Sequence, residues 1–162
     1  MTTSSVSQPA TPPAKGKSRS ARRRAREVAL QGVYQWLISG HDAAAIEAHA
    51  TENEQLGGAD LAHYRELLSG AIDQAQDLRA RFAPHLDRQP EVLSPVEHAI
   101  LLIATYELQH RVEIPYRVVI NEAVELAKSF GGTDGFRYVN GVLDKVAAQL
   151  RPSEAARVDS RT

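Results

Sequence analysis

SPVEHAILLIATYELQH, residues 94–110, is the most apolar stretch of the chain and decides its fold class. Ser94 followed by Pro95 and then by Glu97 is typical of a helix start, with serine as the N-cap and proline as the first helical residue. Apolar residues cover more than half of the circumference of the helix that follows. We therefore predict a buried central helix with a core made by Ala99, Ile100, Leu102, Ile103 and Tyr106.

Amphipathic helical patterns lie on both sides of this central stretch, and capping residues, glycines and prolines separate them. No segment shows the sustained alternation that is typical of a strand. Short connections between helices of this length favour antiparallel neighbours in one or two small bundles. The sequence predicts an all-α fold of six or seven helices, the others at about 20–38, 42–55, 60–82, 115–130 and 134–151.

Charge is distributed very unevenly along the chain. The first 26 residues carry seven of the 19 Lys and Arg residues and no acid, which leaves 12 basic against 20 acidic residues, a net charge of −8, in the rest. An acidic body repels a polyanion everywhere except at the basic segment. This polarity predicts that an anionic partner binds close to the N-terminus.

The two ends of the chain differ from its middle in composition. Residues 1–18 are rich in Ser, Thr, Pro and Ala with little that is apolar and large. Such a segment cannot bury enough surface to offset its chain entropy. We predict a disordered extension at 1–18, a helical domain at 19–152, and a frayed tail at 153–162.

Four arginines open the first helix, whose sequence over residues 20–36 is SARRRAREVALQGVYQW. Tyr34 lies eleven residues, or about three turns, after Arg23, so both side chains point the same way. Guanidinium groups pair with phosphates and an exposed aromatic ring stacks on a base. The alternative is a solvated basic helix with Tyr34 at the edge of the core. We favour nucleic-acid binding by Arg22, Arg23, Arg24, Arg26 and Tyr34.

Several classes of chemistry have no motif in this sequence. There is no cysteine for a disulfide or a thiolate, no phosphate-binding glycine loop, no metal-spaced cluster and no apolar run of membrane-spanning length. His98 and His110 are interpreted as surface or edge histidines, and Glu122 and Glu125 as carboxylates of a polar helix face. The expectation is a soluble cytoplasmic protein that is not an enzyme, with no catalytic residue, metal or cofactor.

A second polar cluster, Asp134, Arg137 and Tyr138, lies at the start of the last helix, which Asp134 is expected to cap. Tyr138 is either partly exposed or an ordinary core-edge residue. Gly141 lies within the same helix, where glycine costs about 1 kcal/mol relative to alanine, and we interpret it as a point of close helix packing. If the first and last helices pack side by side, Tyr34 and Tyr138 form one composite surface.

The motifs ARRRARE at 21–27, INEAVELAKSFG at 120–131 and VNGVLDK at 139–145 resemble the bacterial NusB transcription antitermination family, as does VEHAILLIATYEL at 96–108. The resemblance covers residues 20–152 and implies two small three-helix bundles. It implies binding to the single-stranded boxA element of nascent ribosomal RNA operon transcripts. It also implies a heterodimer with NusE, a ribosomal protein, and assembly of an antitermination complex on RNA polymerase.

Carried over by motif, the four arginines and Tyr34 fall on the family's RNA-contacting helix. Asp134 and Tyr138, with Arg137 between them, fall on a second RNA-contacting segment, and Glu97 lies near the surface for the partner protein. A rival interpretation is a helical protein-interaction scaffold whose arginine helix binds an acidic protein rather than RNA. RNA affinity with a steep salt dependence distinguishes the two.

Overall fold

A computed structural model describes the backbone of residues 15–159 and the side chains of residues 19–156. Over that range the chain is all-α, as predicted, with two short 3-10 turns at Ala83–His85 and Pro90–Val92 and no strand. The described part contains eight helices rather than six or seven: α1 (Lys15–Ser39), α2 (Ala43–Glu52), α3 (Leu61–Asp73), α4 (Ala75–Phe82), α5 (Pro95–His110), α6 (Tyr116–Phe130), α7 (Gly135–Leu150) and α8 (Pro152–Asp159).

Helix α5 is the central helix, as its apolar sequence predicts. Ten consecutive residues, Ala99 to Leu108, are buried. The Ser94 hydroxyl accepts a hydrogen bond from the Glu97 amide at 3.1 Å, which satisfies one of the free donors at the helix start. Helices α1, α3, α4, α6 and α7 all pack against α5.

Two helical groups share this central element. Helix α1 packs on α2, α3 and α5, whereas α7 packs on α4, α5, α6 and α8. The groups α1–α2–α3 and α5–α6–α7 correspond to the two small bundles that the family resemblance implies. Helices α1 and α7 are each packed on α5, and the side-by-side pairing that a composite Tyr34–Tyr138 surface requires is not among the main helix contacts.

The segment predicted as one helix from Asp60 to Phe82 is two helices. At Gln74 the backbone leaves the helical region, with φ −105° and ψ 16°. The apolar stripe nevertheless continues across the break, because Ala71, Ala75 and Leu78 are all buried. A continuous stripe in the sequence therefore does not reveal the break.

Both ends of the folded part extend beyond their predicted limits. Helix α1 begins at Lys15, four residues before the expected boundary, and the rest of the predicted disordered segment, residues 1–14, lies outside the described residues. The predicted frayed tail instead begins with α8, because Glu154 accepts hydrogen bonds from the Tyr116 amide at 2.8 Å and from Arg151 at 3.0 Å. Arg151 is itself buried. Its guanidinium donates to backbone carbonyls near the C-terminal end of α5 and in the loop that follows this helix.

The close helix approach expected at Gly141 is found elsewhere. No atom lies within 4 Å of where a Cβ would stand on Gly141, whereas a Cβ on Gly70 would lie 2.2 Å from the ring of Tyr106. Glycine at position 70 therefore allows α3 to approach α5, and the packing interpretation of Gly141 is wrong.

Candidate nucleic-acid interface

Three arginines of α1 keep a large part of their side chains in solvent. The exposed fractions are 37% for Arg22, 50% for Arg23 and 36% for Arg24. Arg22 Nε lies 3.9 Å from a carboxylate oxygen of Asp60, the N-cap of α3. Arg24 donates to the backbone carbonyl of Gln55 at 2.9 Å. Arg22 and Arg24 are thus each in contact with the body of the protein, while part of each side chain stays in solvent.

A groove of about 800 Å³ separates the first turns of α1 from the start of α6. Arginines form one wall and apolar side chains form the other. Guanidinium N–H groups on the first wall suit phosphate oxygens, and the second wall offers apolar surface to a base or a ribose. We call this feature the arginine groove, lined by Arg19, Arg22, Arg23, Arg26, Ile114, Pro115 and Val118, together with Glu113, Asn121 and Glu122.

Arg26, by contrast, is buried, unlike the exposed side chain expected of a residue that contacts RNA. Its Nε and Nη2 donate to the two carboxylate oxygens of Glu107 at 2.8 Å each, and only 5% of the Arg26 side chain is exposed. Burial alone would raise the pKa of Glu107, but hydrogen bonds from His63 and Arg26 lower it to about 2. Arg26 therefore joins α1 to α5; it borders the arginine groove, but its guanidinium is engaged by Glu107 and little of its side chain is exposed.

Tyr34 lies in the C-terminal half of α1 with 39% of its surface exposed, as expected for a ring that can stack on a base.

Two residues further along α1, the ring centroid of Trp36 lies 5.7 Å from the guanidinium of Arg79. Arg79 Nε also donates to His98 Nε2 at 2.8 Å. Burial and the Arg79 charge lower the pKa of His98 to about 4, so His98 is a partly buried acceptor rather than a plain surface histidine.

The cluster predicted at the start of α7 is present, but its members differ in accessibility. Asp134 and Arg137 are exposed, and Asp134 makes no side-chain capping hydrogen bond, contrary to expectation. Tyr138 is partly buried, and its hydroxyl accepts from the Asp87 amide at 3.4 Å. The Arg88 guanidinium lies 4.4 Å from the Tyr138 ring centroid, so a loop side chain already covers one face of this ring.

Two further features of this region are not apparent in the sequence. Lys128 Nζ and the Arg137 guanidinium lie 5.2 Å and 5.6 Å from the ring centroid of Phe136, which places an aromatic ring beside two cations. The Glu97 carboxylate lies 2.9 Å from where a Cβ would stand on Gly135, so the starts of α5 and α7 are adjacent. The residue expected at the partner-protein surface therefore borders the second segment expected to contact RNA.

None of the helices in the described part of the chain is both long and apolar enough to cross a membrane. Within residues 15–159 no group of three His, Asp or Glu side chains is arranged to hold a metal ion.

The segment of the chain that carries these features matches a known protein family. The model of the NusB family matches residues 23–148, from the arginine run to the end of α7. The chain belongs to the NusB family. It is 56% identical over 152 residues to the transcription antitermination protein NusB of Bordetella pertussis, a match that covers 91% of this chain and 99% of that protein. It is 57% identical over 143 residues to the NusB of Cupriavidus pinatubonensis, covering 88% and 86% of the two chains.

Solved NusB structures have the same fold. The crystal form of T. maritima NusB matches with a TM-score of 0.72 and 27% identity, over 84% of this chain and 96% of that one. A chain from a crystal structure of antitermination factors NusB and NusE in complex with dsRNA matches with a TM-score of 0.73. It is 21% identical and covers 82% and 98% of the two chains, so it supports the fold alone. The predicted family and the predicted NusB-like all-α fold are both confirmed.

Proposed function

We propose that this chain is a transcription antitermination factor that binds the boxA element of nascent ribosomal RNA operon transcripts together with NusE. In this role it helps to assemble an antitermination complex on RNA polymerase. The observation that carries the proposal is the set of three partly exposed arginines, Arg22, Arg23 and Arg24, fixed on α1 of a chain of the NusB family. Relatives with 56% identity over most of the chain carry the antitermination name.

The chemistry of the arginine groove supports an RNA ligand. Single-stranded RNA is bound through cationic contacts to phosphates and through aromatic rings that stack on bases. Arg19, Arg22 and Arg23 supply the cations and the exposed Tyr34 supplies a ring on the same helix. We propose Asp134, Arg137 and Tyr138 as a second contact segment and no longer include Arg26.

A basic protein partner agrees with the charge of the body. Beyond residue 26 the chain has a net charge of −8, which favours association with a ribosomal protein that is normally surrounded by RNA. We propose that NusE contacts the surface around Glu97, beside the start of α7. The proposed action is binding without catalysis, in the cytoplasm where nascent transcripts are made.

Titration of a fluorescent boxA RNA with the full chain, with and without NusE, tests the proposal. A scrambled RNA of the same composition is the control. We expect tighter binding to boxA than to the scrambled RNA, a further gain with NusE, and an affinity that falls steeply with salt. If the chain binds neither RNA but retains an acidic protein, the scaffold interpretation replaces the proposal.

A further inference from the structure

Glu122 of α6 holds an unusual position for an acidic residue. The sequence pattern assigns it to the polar face of its helix, but only 8% of its surface is exposed. Its two carboxylate oxygens accept hydrogen bonds from Nε and Nη2 of Arg23, each at 3.0 Å. The two residues are 99 positions apart, so this contact joins the start of α1 to the middle of α6.

The burial of Glu122 restricts what Arg23 can do. Among the described residues, Arg23 is the only hydrogen-bond partner of the Glu122 carboxylate. If Arg23 turned away to follow a ligand, a nearly buried carboxylate would lose its compensating charge, which is strongly unfavourable. Arg23 therefore stays on Glu122 whether or not the groove is filled.

The guanidinium of Arg23 keeps donors for a second acceptor. A guanidinium has five N–H groups, and Glu122 occupies two of them. The Arg23 side chain is 50% exposed and lines the arginine groove, so its unused N–H groups are accessible from that side. A phosphate in the groove can bind this preoriented edge without the cost of ordering a long side chain.

We infer that Glu122 is a positioning residue for RNA binding, which orients Arg23 so that its free N–H groups receive a phosphate in the arginine groove. This inference rests on the proposed RNA-binding function. It predicts that substitution of Glu122 by a neutral residue changes RNA affinity in the direction opposite to that expected from the loss of charge alone. Removal of a negative charge beside a polyanion site should strengthen binding, whereas loss of the orientation of Arg23 should weaken it.

Glu125 provides a matched control on the same helix. It is exposed, lies 3.7 Å from Lys128, and its negative charge also acts on Arg23. It makes no hydrogen bond to Arg23. Glu125→Gln therefore removes the same charge from the same region without releasing the guanidinium.

The experiment measures boxA RNA affinity by fluorescence anisotropy for the full chain and its Glu122→Gln, Glu125→Gln, Arg23→Ala and Glu122→Gln/Arg23→Ala variants. We expect Glu122→Gln to weaken binding about two- to tenfold, the factor for ordering one flexible side chain at an interface. Glu125→Gln should leave binding unchanged or strengthen it. In the Arg23→Ala background, the Glu122 substitution should no longer weaken binding, because its weakening action passes through Arg23 and only the loss of a negative charge remains.

Circular dichroism melting of each variant shows whether it is folded. If Glu122→Gln does not fold, Arg23→Lys makes the same test, because lysine keeps the charge but cannot form the two-bond pair; we expect the same loss of affinity. Equal or tighter binding by Glu122→Gln, or by Arg23→Lys where that variant is used, overturns the inference. A weakening by Glu122→Gln that persists in the Arg23→Ala background also overturns it. Failure of the unsubstituted chain to bind RNA with or without NusE overturns the proposed function and this inference with it, whereas the previous results leave the function intact.

Discussion

The guanidinium of Arg26 and the carboxylate of Glu107 form a buried ion pair with two hydrogen bonds of 2.8 Å, joining α1 to α5. His63 of α3 lies 3.2 Å from the same carboxylate, so three helices meet at one buried charge. Arg26 follows the partly exposed Arg22, Arg23 and Arg24 on the same helix. The arginine run is thus divided between one buried ion pair and three partly exposed side chains.

Replacement of Arg26 by alanine should destabilise the fold rather than act on RNA binding directly. The change leaves the Glu107 carboxylate buried without its main charge partner, which costs about 3–5 kcal/mol in comparable pairs. Urea denaturation measures this loss. Arg65→Ala is the control, because Arg65 and Glu47 are paired at 3.0 Å with side chains that are 56% and 34% exposed. We expect the control to lose about 1 kcal/mol or less, and equal losses for the two variants would contradict the structural role of Arg26.

The stability of the protein should depend on pH through His98. Its pKa is lowered to about 4, whereas a histidine in an unfolded chain has a pKa of about 6.5. Between these values the unfolded chain binds more protons, so the free energy of unfolding decreases as the pH falls from about 6.5 to about 4. The stability that neutral His98 contributes is fully present above about pH 6.5 and is lost below about pH 4.

His98→Gln tests this dependence, since a glutamine oxygen can still accept the hydrogen bond from Arg79. We expect the variant to lose less stability than the unsubstituted chain between pH 6.5 and 4, as measured by urea denaturation at several pH values. Parallel pH profiles for the two proteins would show that His98 is not responsible.

Two glycine-to-alanine substitutions should change stability in opposite directions. At Gly141 an added methyl group meets no atom within 4 Å, so Ala should stabilise the α7 helix by about 1 kcal/mol through helix propensity. At Gly70 the added Cβ would lie 2.2 Å from the Tyr106 ring, and such overpacking costs about 1–3 kcal/mol. Thermal and urea unfolding of both variants measures the two effects, and changes of the same sign would contradict the packing described for α3 and α5.

Tyr34 and Tyr138 should respond differently to loss of their hydroxyl groups. Tyr34 is exposed and none of the described residues bonds its hydroxyl, so Tyr34→Phe should bind boxA RNA as the unsubstituted chain does. Tyr34→Ala should lower the affinity by about 1–3 kcal/mol with little change in the salt slope, because it removes a stacking ring and no charge. RNA titrations at several salt concentrations measure both quantities.

Tyr138→Phe is the contrasting variant, since it removes the acceptor for the Asp87 amide and leaves the ring. We expect it to loosen the loop around Arg88, detected as faster amide hydrogen exchange at residues 86–89.

For the Tyr34 prediction, unchanged RNA binding by Tyr34→Ala in a folded protein would show that Tyr34 is not a stacking residue.

Much of the fold was predictable because its signals are local. Ser94 caps α5 and Asp42 and Asp60 cap α2 and α3, as their sequence context indicates. The break at Gln74 was not predictable, since the apolar stripe crosses it without interruption. The extra helix at the C-terminus depends on contacts of Glu154 with Arg151 and with the distant Tyr116 amide.

The candidate site was predictable in location but not in the role of each residue. Arg26 lies three and seven residues before Ala29 and Val33, both fully buried, so its helical position already indicated the core. Glu107 similarly stands within the buried run from Ala99 to Leu108, a position that requires a charge partner. The Arg23–Glu122 pair gave no such signal, because it depends on the positions that α1 and α6 take on α5, a relationship that no local pattern encodes.

The contacts of the arginine run have a consequence for how the protein matures during its synthesis. Arg24, Arg22, Arg26 and Arg23 meet, in that order along the chain, Gln55, Asp60, Glu107 and Glu122. Translation proceeds from the N-terminus, so the arginines leave the ribosome first and their last partner follows 99 residues after Arg23. The ordered cationic surface is therefore completed only when most of the chain has been translated. An incomplete polypeptide carries the same charges without their arrangement.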